Sequence, residues 1–348
     1  MKVEKHKRFR IQLLVAIGVA VSSLVSSCGN PSQQSTSASI NIDGSSTVYP
    51  ITEKAVGEFK DSYNQPVDIT LAISGTGGGF EKFCRGDTQI SNASRPIQAE
   101  EMDLCLQNGV SFIELPIAFD ALTVVVNAEN DWVESLTIED LKKIWEPAAE
   151  GKITSWSQVN SDFPDRPLNL FGPDVESGTF DYFTEAVMGT AGESRTDYVS
   201  SEDDNLIVQG VRQDPNAMGY FGLSYYEGNP DQLKAIAIDS GNGAIAPSKE
   251  TVERSAYQPL ARPLFIYINA KAAQDNIALQ EFIDFYLDNA DALVRSANYI
   301  PLTEESYHIN KVTFHRGEAG TVFAGQSQFD ITIPELQRKQ AELPIEPN

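Results

Sequence analysis

The sequence is poor in the residues that metal and redox chemistry needs: three cysteines, three histidines and four methionines in 348 residues. No CxxC or HExxH spacing occurs, and beyond the N-terminal stretch only His308 and His315 remain. Zinc-type clusters and His-based catalytic triads therefore lack their raw material. Positive charge is also scarce: 26 Lys and Arg stand against 49 Asp and Glu, a net of −23. Nucleic acid, whose phosphates need basic surface, is excluded as a partner. The longest apolar run, Ile11 to Val25, falls short of the roughly 20 residues a membrane span requires. What is present is globular: 41% hydrophobic and 22% charged residues, in a length that suits about two domains. Such a chain can bury a sizeable core without metal or disulfide staples.

Residues 1–27 look like an export signal rather than fold. Lys2, Lys5, Lys7, Arg8 and Arg10 precede the apolar run, and Val25-Ser26-Ser27-Cys28 closes it. This has the form of a bacterial lipobox, in which Cys28 is lipidated and becomes the mature N-terminus. An ordinary secretory signal with an incidental cysteine is the alternative. Residues 28–39 are rich in Ser, Gln and Thr and read as a flexible tether. Cleavage removes five basic residues and Glu4, which takes the net charge from −23 to −27. Export would leave Cys84 and Cys105 as an even pair in an oxidising space, which reads as a disulfide; two buried free thiols are the alternative.

From Ile40 onward, short apolar runs alternate with helical periodicity, the α/β pattern. Strands are expected at Ile40–Ile42, Val67–Ile73, Gln89–Asn92, Ser111–Leu115, Ala121–Asn127, Leu168–Phe171, Ala217–Phe221 and Leu264–Ile268. The two around Pro116 are expected to be separate. Helices are expected over Val48–Phe59, Phe80–Phe83, Ala99–Leu106, Ile138–Trp145, Thr179–Val187, Asn205–Arg212 and Ile277–Ala290, with a loose tail from Glu335.

One pattern recurs. Gly44-Ser45-Ser46-Thr47, Ser74-Gly75-Thr76-Gly77-Gly78-Gly79 and Ser177-Gly178-Thr179 each join a strand to a helix. Free N–H groups and partial positive charge at a helix N-terminus, with glycines that admit a close approach and hydroxyls that donate, suit a small oxyanion. Plain helix capping explains any one turn; three in one chain point further. None is a P-loop, a GxGxxG or a GxSxG motif.

These stretches resemble the phosphate-binding proteins of bacterial phosphate ABC transporters, the PstS family. The resemblance rests on GSSTVYP (44–50), SGTGGG (74–79), NASRPI (92–97), ELPIAFDALTVVVN (114–127), ESGTFDYF (176–183), SEDDN (201–205) and MGYFGLSYY (218–226), in family order over about 40–320. Phe83-Cys84 with the later Cys105 is most similar to the SphX-like cyanobacterial branch. The resemblance implies a two-lobe periplasmic binding protein fold (type II-like) with a hinge and a ligand cleft. Lobe 1 would be discontinuous, 40–117 and 263–340, and lobe 2 would be 118–262, with crossings near Pro116–Ala118 and Pro259–Pro263.

It also implies the ligand set: Thr47 and the Val48 N–H with Ser46 nearby, Ser74 with Thr76 as helper, and Ser177, Gly178 and Thr179; Ser45 ranks below Ser46. Two positions depart from the family. Where many members have an Asp that accepts the phosphate proton, this chain has Arg95, and where many have an Arg it has Pro173. Arg95 is then expected to give the anion a bidentate contact, leaving Asp120, and after it Asp204, as the proton acceptor. The implied function is capture of inorganic phosphate by a monomeric, lipid-anchored protein at the periplasmic face of the inner membrane or the cell surface. It would deliver phosphate to an ABC permease, without catalysis, cofactor or metal. The alternatives are another tetrahedral oxyanion such as sulfate or molybdate, and a secreted phosphatase-like enzyme.

Overall fold

The computed structural model describes residues 38–342. The expected signal segment, Cys28 and nearly all of the tether lie outside them. Strands that end in a Ser/Gly turn and reopen as a helix dominate the first third: β1 (Ala38–Gly44), α1 (Tyr49–Ser62), β2 (Val67–Leu71), α2 (Gly75–Cys84), β3 (Ile90–Ala93) and α3 (Ala99–Gln107). A long strand, β4 (Phe112–Asn127), follows, then α4 (Ile138–Trp145). The next units are β5 (Asn169–Gly172), α5 (Gly178–Met188), β6 (Val199–Ser200), α6 (Asp204–Gln213) and β7 (Ala217–Gly222). The chain returns through β8 (Ala261–Asn269) to α7 (Ile277–Asp288), α8 (Glu304–Arg316) and α9 (Ile333–Ala341).

The strands form one mixed sheet in the order β2-β1-β3-β8-β4-β7-β5-β6. Within each half the helix-flanked strands run parallel: β1 with β2 and β3, and β5 with β6 and β7. Between the halves lie β8 and β4, antiparallel to each other. β4 pairs with β8 along its first part and with β7 along its second, so it belongs to both halves. The core is two large clusters, one within the first half and one running from Phe80, Phe83 and Phe265 of the first half into the second. Ile40, Ile42, Ile51, Ile266 and Phe282 pack together on one side, and Leu122, Val124, Trp145, Phe183 and Tyr220 on the other. In such a sheet, ligands sit beyond the carboxyl ends of the parallel strands, where the strand order reverses. The three Ser/Gly/Thr turns all lie at such ends.

The α/β expectation holds, with local differences. The two strands expected around Pro116 are one. Pro116 has no N–H to offer a ladder, and the register skips Ile117 there: Leu264 faces Ala118 and Phe265 faces Pro116. Bonds from α8 satisfy the displaced carbonyls, Asn310 Nδ2 to Pro116 O at 2.6 Å and Tyr307 OH to Ile117 O at 2.8 Å. A bulge thus replaces a break. α2 starts five residues before the expected Phe80, because Gly77, Gly78 and Gly79 continue the helix and Gly79 packs where a Cβ would lie 2.5 Å from Gly44 Cα. The long helix expected over Ile277–Ala290 stops at Asp288, and a second helix begins at Ala290. The tail forms a helix where a loose end was expected: Thr332 and Glu335 make a capping box, and Leu336 is buried. Cys84 and Cys105 form a disulfide that ties α2 to α3.

Candidate functional site

The turns after β1, β2 and β5 meet. Thr47 Oγ1 and Thr179 Oγ1, from opposite halves of the sheet, are 3.2 Å apart. Gly77 N donates to Glu176 O at 3.1 Å across the same seam. Gly178 has to be glycine: a Cβ there would lie 2.4 Å from Thr76 Oγ1 and 2.6 Å from Ser94 Oγ. Thr76 and Ser94 are themselves hydrogen-bonded at 3.2 Å. The seam is closed, with Thr47, Thr76, Ser94 and Thr179 at most 1% exposed.

The cation at this junction is Arg262. Its Nη2 donates to Thr179 Oγ1 (2.8 Å), Asp120 Oδ2 (3.1 Å) and Thr47 Oγ1 (3.4 Å), and its Nη1 to Gly178 O (3.2 Å). Arg262 and Asp120 face each other in the β8–β4 register and are fully buried. The Tyr182 ring lies 5.9 Å from the guanidinium carbon. Arg262 Nε, also buried, donates to no protein atom. A buried charged donor without an acceptor is costly, and an oxyanion oxygen would satisfy it. The donor set of one guanidinium, threonine hydroxyls and helix N-termini fits a small tetrahedral anion.

Two carboxyls flank this cation. Asp120 Oδ1 accepts from Leu223 N at 3.2 Å, so both of its oxygens are engaged by protein. Burial raises its pKa, and Arg262 opposes that shift. Asp204, in the first turn of α6, accepts from Ser46 Oγ at 3.4 Å. Burial pushes its pKa up to about 7; Arg262 lowers it, and the nearby Asp120 raises it further.

The other expected residues are placed as follows. Val48 is the N-cap of α1, and its N–H reaches Ser45 Oγ at a long 3.4 Å. Ser177 caps α5 by accepting from Thr179 N at 3.2 Å, a bond that leaves its own hydroxyl proton uncommitted. Ser74 turns away from the junction and donates to Asp43 Oδ1 at 2.8 Å. Thr76, in the second turn, and Ser94, just after β3, are the hydroxyls presented instead. Arg95, expected at the anion, is engaged by protein atoms here. Four of its five N–H groups go to Asp181, to both oxygens of Glu101 and to Pro96 O. Sequence reasoning missed Arg262. Its signal was a lone charge in the apolar run Leu260–Ile268, matched by the lone Asp120 in Ile117–Val126.

Comparison with known proteins identifies the family. Residues 29–290 match the family model of the PBP superfamily domain, so the chain is a member of that superfamily of binding proteins, with its two-lobe fold. Protein SphX of Synechocystis is 59% identical over 317 residues, 91% of this chain and 93% of that protein. The phosphate-binding protein PstS of Staphylococcus saprophyticus is 38% identical over 85% of this chain and 91% of its own. A crystal structure from Clostridium perfringens, assigned to a phosphate ABC transporter substrate-binding protein and holding bound phosphate, aligns with a TM-score of 0.63. It is 28% identical and covers 76% of this chain and all of its own. The chain belongs to the PstS family, in the branch that includes SphX. That is a family of solute-binding proteins, not enzymes.

Proposed function

We propose that this chain captures inorganic phosphate between its two lobes and delivers it to an ABC permease in the membrane. One observation carries the reading: a fully buried Arg262 bridges hydroxyls from both lobes, Thr47 and Thr179, and keeps an Nε–H unmatched. The ligand contacts would be Arg262, Ser46, the Thr47, Thr179 and Ser177 hydroxyls, the backbone N–H groups of Val48 and Gly178, and the Thr76–Ser94 pair. Arg95 and Ser74 would support from behind. Asp120 holds Arg262 in place. Asp204 is the group to accept the phosphate O–H, because its pKa near 7 leaves it ionised on the alkaline side of neutrality.

Residues 40–117 and 263–340 would form one lobe and 118–262 the other, with β4 and β8 as the crossings. The protein would be exported by residues 1–27 and held by a lipid on Cys28, with 28–39 as tether, and would act as a monomer on the outer face of the membrane. A few donors in a closed cleft would take the place of a basic patch. Thermal denaturation with phosphate, sulfate and molybdate tests the reading, since a ligand bound only by the native state raises its stability. Stabilisation by phosphate at lower concentration than by either other anion is the expected outcome; stabilisation by sulfate alone would overturn it.

A further inference from the structure

Arg95 is built into the protein in a way that its withdrawal from the anion does not explain. It follows β3 and is 2% exposed. Its two Nη groups clamp Glu101, Nη1 to Oε2 at 2.8 Å and Nη2 to Oε1 at 2.7 Å. Glu101 is itself fixed, because its carboxylate also accepts from Gln98 N at 2.8 Å in the capping box of α3. Phe80 of α2 lies under the guanidinium at 5.6 Å, and the Cys84–Cys105 disulfide ties α2 to α3. Arg95 is thus held rigidly by the first half of the sheet. A single bond leaves that half: Nε donates to Asp181 Oδ2 at 2.7 Å. Asp181 sits in the first turn of α5, the helix whose N-terminal Gly178 and Thr179 face Thr47 and Arg262.

We infer that Arg95 is a positioning residue, a clasp whose bond to Asp181 holds α5 against the opposite lobe and so sets how long the closed state lasts. The inference rests on the phosphate reading for its ligand, but the clasp itself joins protein to protein. A pre-organised guanidinium meeting one partly exposed carboxylate is a strong, charge-assisted contact that forms only on closure. Opening would hydrate Asp181 while Arg95 keeps Glu101. Neither group touches the anion, so the clasp acts on the lifetime of the complex and not on the choice of anion. Differences of this kind between related complexes are carried by the dissociation rate.

The test uses the full chain, with Asp181→Asn and Arg95→Lys as near-isosteric variants. Dissociation of radiolabelled phosphate is followed at 0.05 and 0.5 M NaCl. Asp181→Asn should speed release about tenfold at low salt, leave the phosphate-to-sulfate affinity ratio unchanged and remove the salt dependence of release. Arg95→Lys should fall between it and the unmodified chain. Release within twofold of the unmodified chain for Asp181→Asn, or a tenfold change in the anion ratio, would overturn the inference. A purely structural role would lower stability without altering the salt dependence. A ligand-free arm separates the clasp from the phosphate reading: spin labels on the two lobes should report a larger open fraction in Asp181→Asn. An unchanged distance distribution refutes the clasp even if no anion binds. Failure of the unmodified chain to bind phosphate while that distribution shifts refutes only the phosphate reading.

Discussion

Replacing Asp204 by Asn should make the ligand-free protein more stable, by an amount that grows as pH rises from about 4 to about 7 and is then constant. An ordinary Asp titrates near 3.9, whereas burial raises Asp204 to about 7 in the folded chain. Between those values the unfolded chain has lost its proton while the folded chain keeps it. The contribution to stability is therefore complete below about pH 4, declines as pH rises, and is gone above about 7. A shift of about 3 units at 1.36 kcal/mol each sets a ceiling of about 4 kcal/mol. Asn cannot ionise and keeps an acceptor for Ser46 Oγ. Urea unfolding at pH 4, 6 and 8 should show the Asn variant near the unmodified chain at pH 4 and up to about 4 kcal/mol more stable at pH 8. Glu114 and Glu202, raised to about 7 and about 9, slope the same way; Glu114 is common to both proteins and cancels in the difference, whereas Asp204 is one of the charges that raise Glu202, so its removal relaxes Glu202 and adds in the same direction. With ligand the sign reverses. Losing an acceptor for the phosphate O–H, a charged hydrogen bond of about 1.5–3 kcal/mol, should weaken phosphate about 10- to 100-fold and spare sulfate. A stability difference that does not change with pH, or an unchanged anion preference, would refute this reasoning.

Arg262→Lys keeps the charge but not the fork that spans Thr47, Thr179 and Gly178 O, so phosphate affinity measured by calorimetry should fall at least tenfold while Asp120 remains paired. Gly178→Ala places a methyl about where Thr76 Oγ1 and Ser94 Oγ now sit; it should hold the lobes apart and weaken phosphate more than 100-fold, with melting little changed in its absence. Reducing the Cys84–Cys105 bridge, which closes a loop of 21 residues, should cost about 3 kcal/mol in the chain-entropy account, read as a lower urea midpoint in dithiothreitol.

How much of this was legible in the sequence varies with the distance over which each interaction acts. The strand–turn–helix units were readable because their signals are local: apolar runs, then Ser, Gly or Thr, then helical spacing. Thr137 before Ile138 with Asp140 gave α4 its start, and the capping box is there. β4 reads as two strands in the sequence because Pro116 is a local breaker, while the bulge that accommodates it depends on β8 and on Asn310, about 150 and 194 residues away. Thr47 and Thr179 were found by their turns. Arg262 was not, because it lies in a strand and reaches the site only through its register with Asp120. Arg95 reads as an anion contact because its neighbours are Ser94 and Pro96. Its acceptors, Glu101 and Asp181, are a fold-level fact.

The central claim is that few donors, gathered at a buried arginine, bind phosphate in a chain whose net charge is −23. Titration calorimetry of phosphate into the chain lacking residues 1–28 at pH 8, beside its Arg262→Lys variant, tests it most directly. The account predicts one site per chain, tight and nearly insensitive to sulfate in excess, and at least tenfold weaker in the variant. Equal affinity in the two proteins, or sulfate competing at par with phosphate, would contradict it.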